Sequence, residues 1–143
     1  MTSDAEKQSI AIFLCVANSA RSQMAEGLAR ESAPPGWKVF SAGSDPSIVN
    51  PLAIEALHEI DIDISDHKSK GMDAVPMDEA DLVITLCADE VCPVVPQGAE
   101  RLDWAMPDPA GAGDQIRLQM DAFRETRDEI KKRIDSLWKE KTA

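Results

Sequence analysis

Apolar positions along this chain change period several times, and the changes mark out its elements. Ile10-Ala-Ile-Phe-Leu14 is a continuous apolar run, and Ala80-Asp-Leu-Val-Ile-Thr-Leu86 is nearly one. Such runs read as strands of a parallel sheet buried on both faces, here over about 9–15 and 80–86. Trp37-Lys-Val-Phe-Ser41 alternates and predicts another strand, turned at Ala42-Gly43-Ser44, and Arg101-Leu-Asp-Trp104 predicts a short one. Between them the pattern is helical. Residues 21–32 predict a helix broken by Pro34-Pro35-Gly36. Asn50-Pro51 opens a second, with Asn50 suited to the cap and Pro51 to the first helical position; Leu52, Ile54, Ala56, Leu57 and Ile60 form its apolar face. From Asp114 to about Lys139, Ile116, Met120, Phe123, Ile130, Ile134 and Leu137 recur at three- and four-residue steps, with one gap filled by Arg127.

The connecting segments are polar or rich in breakers. Met72 to Met77 reads as a brief helix stopped by Pro76, and 87–98 and 105–113 read as loops. Asp61, Asp63 and Asp66 are interleaved with Ile62 and Ile64, which points to a strand edge rather than a cation site. Pairs on the last helix, such as Asp128 with Lys132, read as solvated support. The alternation of strands and helices predicts an α/β fold, a doubly wound four-stranded parallel sheet flanked by helices. In such sheets ligands sit at the carboxyl ends of the strands. The loops after residues 15, 86 and 104 are therefore expected to meet on one rim.

Length and composition narrow the class. The 143 residues, 43% of them hydrophobic, fit one domain spanning 1–143, with 1–8 as a flexible N-terminal extension. No apolar run approaches the ~20 residues of a membrane span. The start, Met1-Thr-Ser-Asp-Ala-Glu-Lys-Gln8, is polar and acidic and lacks the features of a secretory signal, so a cytoplasmic protein without membrane association is expected. A monomer is the expected state. The net charge of −11 argues against nucleic acid as a partner, because phosphate contacts need a basic face. It does not exclude a local anion site. Exposed charges are screened beyond roughly 8 Å at physiological salt, whereas backbone N–H groups and a partly buried arginine act at contact distance.

The chemistry concentrates in Cys15-Val-Ala-Asn-Ser-Ala-Arg21-Ser22. A bare Cys-x5-Arg arises by chance; the strand before it and the helix after it give this one weight. The layout puts a thiol at a strand end, beneath a loop (Val16, Ala17, Asn18, Ser19, Ala20, Arg21, Ser22) whose N–H groups can converge on a tetrahedral oxyanion. A helix N-terminus and Arg21 both favour a thiolate at Cys15, and the guanidinium fork suits two oxygens at once. Ser22 is placed to donate to the Cys15 sulfur, and Asn18 tolerates positive φ. Asp108-Pro109 alone reads as a turn; beside Cys15 and Arg21 it reads as an acid that protonates a leaving oxygen. Three cysteines without a secretory signal read as catalytic or redox thiols. Cys87 and Cys92 are either a redox pair in a mobile loop or small buried hydrophobes; zinc wants four ligands, and only three Cys and two distant His exist. His58 and His67 read as structural or solvated.

These residues carry a resemblance. Cys15-x-x-Asn18-Ser19-x-Arg21-Ser22-Gln23-Met24-Ala25-Glu26-Gly27, Ser41-Ala42-Gly43, Asp63-Ile64-Ser65, Val83-Ile-Thr-Leu-Cys87, Cys92-Pro93 and Asp108-Pro109 resemble the arsenate reductases built on the low-molecular-weight tyrosine phosphatase fold, over roughly residues 9–138. The resemblance implies reduction of arsenate to arsenite, for arsenic detoxification, through a relay of Cys15, Cys87 and Cys92. Cys15 attacks arsenate, Asp108 protonates the departing oxygen, Cys87 attacks the adduct, and Cys92 draws the disulfide outward to 87–92. It implies no bound cofactor, phosphate and sulfate as competing oxyanions, and an external reductant, either thioredoxin or glutaredoxin with a small thiol. The competing reading is a phosphotyrosine or phosphomonoester phosphatase, which leaves Cys87 and Cys92 unexplained. Ala110-Gly111 after the Asp-Pro also offers no aromatic wall for a phenyl ring.

The chain departs from the family pattern in the loop, with Ala17 where Gly is usual and Ala20 where Cys is usual. Ala17 makes positive φ costly at that position, so a loop of slightly different shape is expected. Some members bind potassium through residues matching Asn18, Glu26 and Ser41, with an acidic residue near position 70. Position 70 here is Lys, and its ammonium is expected to replace the ion.

Overall fold

The computed structural model describes residues 8–87 and 98–142. Four strands, β1 (Ser9–Cys15), β2 (Trp37–Gly43), β3 (Leu82–Thr85) and β4 (Glu100–Asp103), form one parallel sheet in the order β2-β1-β3-β4. The helices are α1 (Arg21–Ser32), α2 (Pro51–His58) and α3 (Ile116–Thr142), with short 3-10 turns at Met72–Ala74, Met77–Glu79 and Pro109–Gly111. None of the described helices is long and apolar enough to cross a membrane.

The central strand β1 is apolar on both sides because both sides are covered. Ala11 and Phe13 join the larger core with Met24, Leu57, Phe123 and Ile134 of the three helices. Ile12 and Leu14 face the other way, into a smaller core with Ala42, Val75 and Val83. That second face is closed by the 72–80 segment, where Pro76 divides the expected brief helix into two 3-10 turns. Both strand and helix boundaries follow the apolar pattern closely; β2 runs on to Gly43 because it keeps pairing with β1 as far as Cys15.

Residues 61–66 are not a strand edge. Asn50 caps α2 by accepting from Leu52 N–H, and the helix closes in a Schellman arrangement with Asp61 at φ 66°, Ile62 N–H donating to Leu57 O and Asp61 N–H to His58 O. The apolar alternation serves that closure. Ile64 is buried against α1 at Gly27, where an added Cβ would stand 2.7 Å from both Ile64 Cγ2 and Leu57 Cδ1.

The gap in the apolar stripe of α3 is filled by a buried cation. Arg127 is buried there and donates to Ala56 O at 2.9 Å and to Glu59 at 2.9 Å, so a cation satisfies the carboxyl end of α2. Arg124 grips the same Glu59 carboxylate through Nε and Nη2. Asp128 pairs with Arg127 rather than with Lys132; the exposed four-residue pairs are Lys131–Asp135 and Arg133–Glu129.

Hydrogen bonds from Arg124, reinforced by Arg127, hold the Glu59 carboxyl down at about 2, against 4.5 ordinarily. A depressed carboxyl stabilises the fold fully above its unfolded value and loses that contribution as pH falls through the folded one. Urea unfolding followed from pH 5 down to pH 2 should therefore show a steeper loss of stability in the wild-type chain than in Glu59→Gln.

Candidate functional site

The site forms where β1 ends. The chain leaves the sheet at Cys15, rises through 16–20 and enters α1 at Arg21. Asn18 adopts φ 48°, as its side chain allows. Among the described residues the positive φ falls on Asn18 and not on Ala17, so the alanine costs the loop nothing. Ala20 is the N-cap of α1 and makes no side-chain capping bond, and its methyl joins the larger core. The first amides of α1 thus have no capping side chain and open toward the loop.

Cys15 is a free thiol, 2% exposed, at the floor of a cavity of about 120 Å³ whose walls include Ala17, Ser19, Arg21, Ser47 and Asp108. Its sulfur lies 2.8 Å from Ser22 Oγ. Asn18 Nδ2 donates to that same oxygen at 2.8 Å and to Ser41 Oγ at 3.0 Å. The orientation of the Asn18 amide is fixed from its other end, because Oδ1 accepts from Gln23 Nε2 and from the backbone N–H of Lys70, each at 2.8 Å. Ser22 Oγ therefore receives a hydrogen from Asn18 and keeps its own hydrogen to give to the sulfur when Cys15 is a thiolate.

Behind this first layer lies a buried carboxylate. Glu26, 2% exposed, accepts from Ser41 Oγ and lies 3.3 Å from Lys70 Nζ and 3.1 Å from Arg30 Nη2. His67 Nδ1 stands 3.1 Å from Gln23 Oε1 and 3.7 Å from Glu26. Burial pushes His67 below its usual range, with Glu26 pulling the other way. His67 thus has definite partners on α1 where the sequence offered none at a telling spacing.

Arg21 is buried, and its Nη1 donates to Met106 O at 2.8 Å and Leu86 O at 3.3 Å. Those carbonyls belong to the segments after β4 and β3, so the three expected loops do converge on one rim. Asp108 is exposed at the cavity edge, and its Oδ1 accepts from Ala110 N–H at 3.0 Å, capping the 3-10 turn. The turn and the cavity-facing carboxylate are one feature. Cys87, which follows β3, is buried and disulfide-bonded. Cys92 lies outside the described residues, as does most of the 87–98 loop.

Sequence reasoning missed the residues that hold the loop from outside: Gln23, His67, Ser69 and the 45–50 segment. Their legible signals were the place of Gln23 in the motif after Arg21 and the polar run from Ser65 to Lys70 before Gly71. Among the described residues no cluster of His, Cys, Asp and Glu has the makings of a metal site.

A strand-end cysteine beneath a Cys-x5-Arg loop, on a four-stranded parallel sheet, defines a thiol-based oxyanion site of the phosphatase class. The chain belongs to the low molecular weight phosphotyrosine protein phosphatase family, whose pattern matches residues 10–142. Relatives within it include arsenate reductases. Arsenate reductase 1 of Staphylococcus haemolyticus is 46% identical over 85% of this chain and 89% of its own. A structure described as an arsenate reductase in the phosphate binding state superposes with a TM-score of 0.79 at 33% identity, covering 93% of this chain and 98% of that one. The thioredoxin-dependent arsenate reductase of Corynebacterium glutamicum superposes with a TM-score of 0.72 at 34% identity, covering 95% of this chain and 63% of that one.

Gly43 is the close approach on which this loop rests. A Cβ there would stand 2.2 Å from Val16 O, 2.8 Å from Cys15 O and 2.9 Å from Asn18 N. Gly43→Ala should leave the chain folded by circular dichroism yet weaken inorganic phosphate binding, read by calorimetry, by about tenfold or more, since the loop backbone must shift by more than ~1 kcal/mol of strain.

Proposed function

We propose that this protein reduces arsenate to arsenite, in arsenic detoxification, through Cys15, Cys87 and Cys92. One observation carries the reading: Cys15 is a free thiol under the oxyanion loop, while the neighbouring strand-end cysteine, Cys87, is oxidised in a disulfide. A hydrolytic phosphatase needs the first and has no use for the second. The arsenate reductases to which the chain is similar support the same choice.

The chemistry runs as follows. The Cys15 thiolate, held by the Ser22 hydroxyl, attacks arsenic(V); Asp108 gives its proton to the departing oxygen, which leaves as water. Arg21 and the loop amides balance the charge on the remaining oxygens. The Cys87 thiolate then attacks the Cys15 sulfur. An S–S bond forms, the S–As bond breaks, and its electron pair stays on arsenic, which leaves as arsenite. Cys92 attacks Cys87, releasing the Cys15 thiolate and leaving an 87–92 disulfide. An external dithiol supplies the two electrons that reopen it. A thioredoxin-like protein is the donor we favour, on the likeness to the thioredoxin-dependent enzyme. Small walls at Ala17, Ser47 and Ala110 suit a bare tetrahedral anion better than an aryl ester.

Potassium does not fit the positions matching the family's cation site. Lys70 Nζ already stands 3.3 Å from Glu26 Oε1, and the Asn18 oxygen is taken by two N–H donors while its nitrogen faces Ser41. The Lys70 ammonium takes the cation's place in this proposal. Activity measured in sodium buffer with rising potassium should stay flat; potassium activation would refute the substitution.

Reduced protein incubated with arsenate and no donor, then quenched and mapped by mass spectrometry, should yield one arsenite per chain and an 87–92 disulfide. Cys92→Ser should stop at Cys15–Cys87, and Cys15→Ser should release no arsenite. Intact thiols in the wild-type chain would overturn the relay. Asp108→Asn should lower kcat by about 100-fold with phosphate affinity little changed.

A further inference from the structure

We infer that Ser69, acting with the 45–50 segment, is a positioning residue that aims the oxyanion loop from outside, by turning its carbonyls away so that its amides face the anion. The inference rests on the Cys15–Arg21 loop being the oxyanion site.

Three carbonyls of the loop are held by one short stretch of chain. Asp45 N–H donates to Val16 O at 2.9 Å, Ser47 N–H to Ala17 O at 3.2 Å, and Asn50 N–H to Ser19 O at 2.9 Å. In a trans peptide the C=O of one residue and the N–H of the next point in opposite directions, and no cis peptide is found among the described residues. Fixing the oxygens of Val16, Ala17 and Ser19 on the outside therefore fixes the N–H groups of Ala17, Asn18 and Ala20 toward the other side; Ala17 and Ala20 line the cavity together with Cys15 and Arg21. Among the described residues no hydrogen bond uses these three N–H groups.

Ala17 is the weakest of the three anchors, at 3.2 Å, and Ser69 reinforces it. Its Oγ donates to Ala17 O at 2.8 Å and accepts from Ser47 N–H at 2.9 Å. One hydroxyl therefore braces both the carbonyl and its backbone partner. The brace has a firm base. Gln23 Nε2 donates to Lys68 O at 2.9 Å, Lys70 N–H to Asn18 Oδ1, and Gly43 N–H to Lys70 O at 2.9 Å, so the residues on both sides of Ser69 are tied to α1, the loop and β2. Asn18 sits in the left-handed region, where a peptide flip is an accessible alternative, and its amide is the one whose direction Ser69 secures.

The test is inorganic phosphate binding, followed by calorimetry and by the backbone amide signals in a nitrogen–proton NMR spectrum. In wild-type protein phosphate should shift the amides of Ala17, Asn18 and Ala20. Ser69→Ala should weaken phosphate about tenfold, raise KM for arsenate more than it lowers kcat, and abolish the shift at Asn18 while leaving that at Ala20, which Asn50 holds. Ser69→Thr, which keeps the hydroxyl, should restore all three. A Ser69→Ala chain with changed urea stability but wild-type phosphate affinity and an unchanged Asn18 response would overturn the inference. Should that variant not fold, a wild-type Asn18 amide indifferent to phosphate overturns it equally. Arg21→Ala separates the two levels: phosphate binding unaffected by that change refutes the site itself, whereas binding lost there and kept in Ser69→Ala refutes only the role of Ser69.

Discussion

The side-chain amide of Asn18 is the constraint on which the site depends. It is fully buried, it sits in a backbone conformation few residues adopt, and all its hydrogen-bonding directions are spoken for. Gln23 and the Lys70 backbone feed its oxygen; its nitrogen feeds Ser22 and Ser41. Buried polar groups are tolerated only when satisfied, and a satisfied network has one geometry. Through Ser22 that geometry reaches the Cys15 sulfur, and through Ser41 it reaches Glu26. No described buried side-chain nitrogen or oxygen is left without a partner. The loop above Cys15 is thus held for the same reason a core is held.

An acidic chain with an anion site is less odd once the site is seen from below. The net charge of −11 is a property of the surface, where salt screens it. Among the described residues the one buried acid near the site, Glu26, is answered by Lys70 and Arg30. What lines the cavity besides the Asp108 carboxyl is a buried guanidinium and a helix start without a capping side chain.

Local features were legible in the sequence and long-range ones were not. The Cys15–Arg21 loop, its flanking strand and helix, the positive φ at Asn18, the Asn50-Pro51 cap and the Ser22–Cys15 pair all follow from neighbours in the chain, and local sterics decide them. Ile62 and Ile64 misled because an alternating pair serves a Schellman closure as well as a strand. Arg127 looked like a break in a stripe because its partner, the carboxyl end of α2, lies 71 residues away. His67 and Ser69 looked idle for the same reason, since their partners on α1 and in the loop are 44 and 52 residues distant. Ala17 looked costly because the family habit of glycine there suggested a strain that this loop places on the next residue.

Arg21 has a further consequence. The same Nη1 that holds Met106 O and Leu86 O belongs to the guanidinium on the wall of the Cys15 cavity. The segment leading to Asp108 and the segment leading to Cys87 are thereby spliced to one buried guanidinium. A lysine at this position would keep the charge and lose the splice, because an ammonium has no planar fork with which to reach two carbonyls and an oxyanion together. The arginine works as the latch of the rim as much as the charge at its centre.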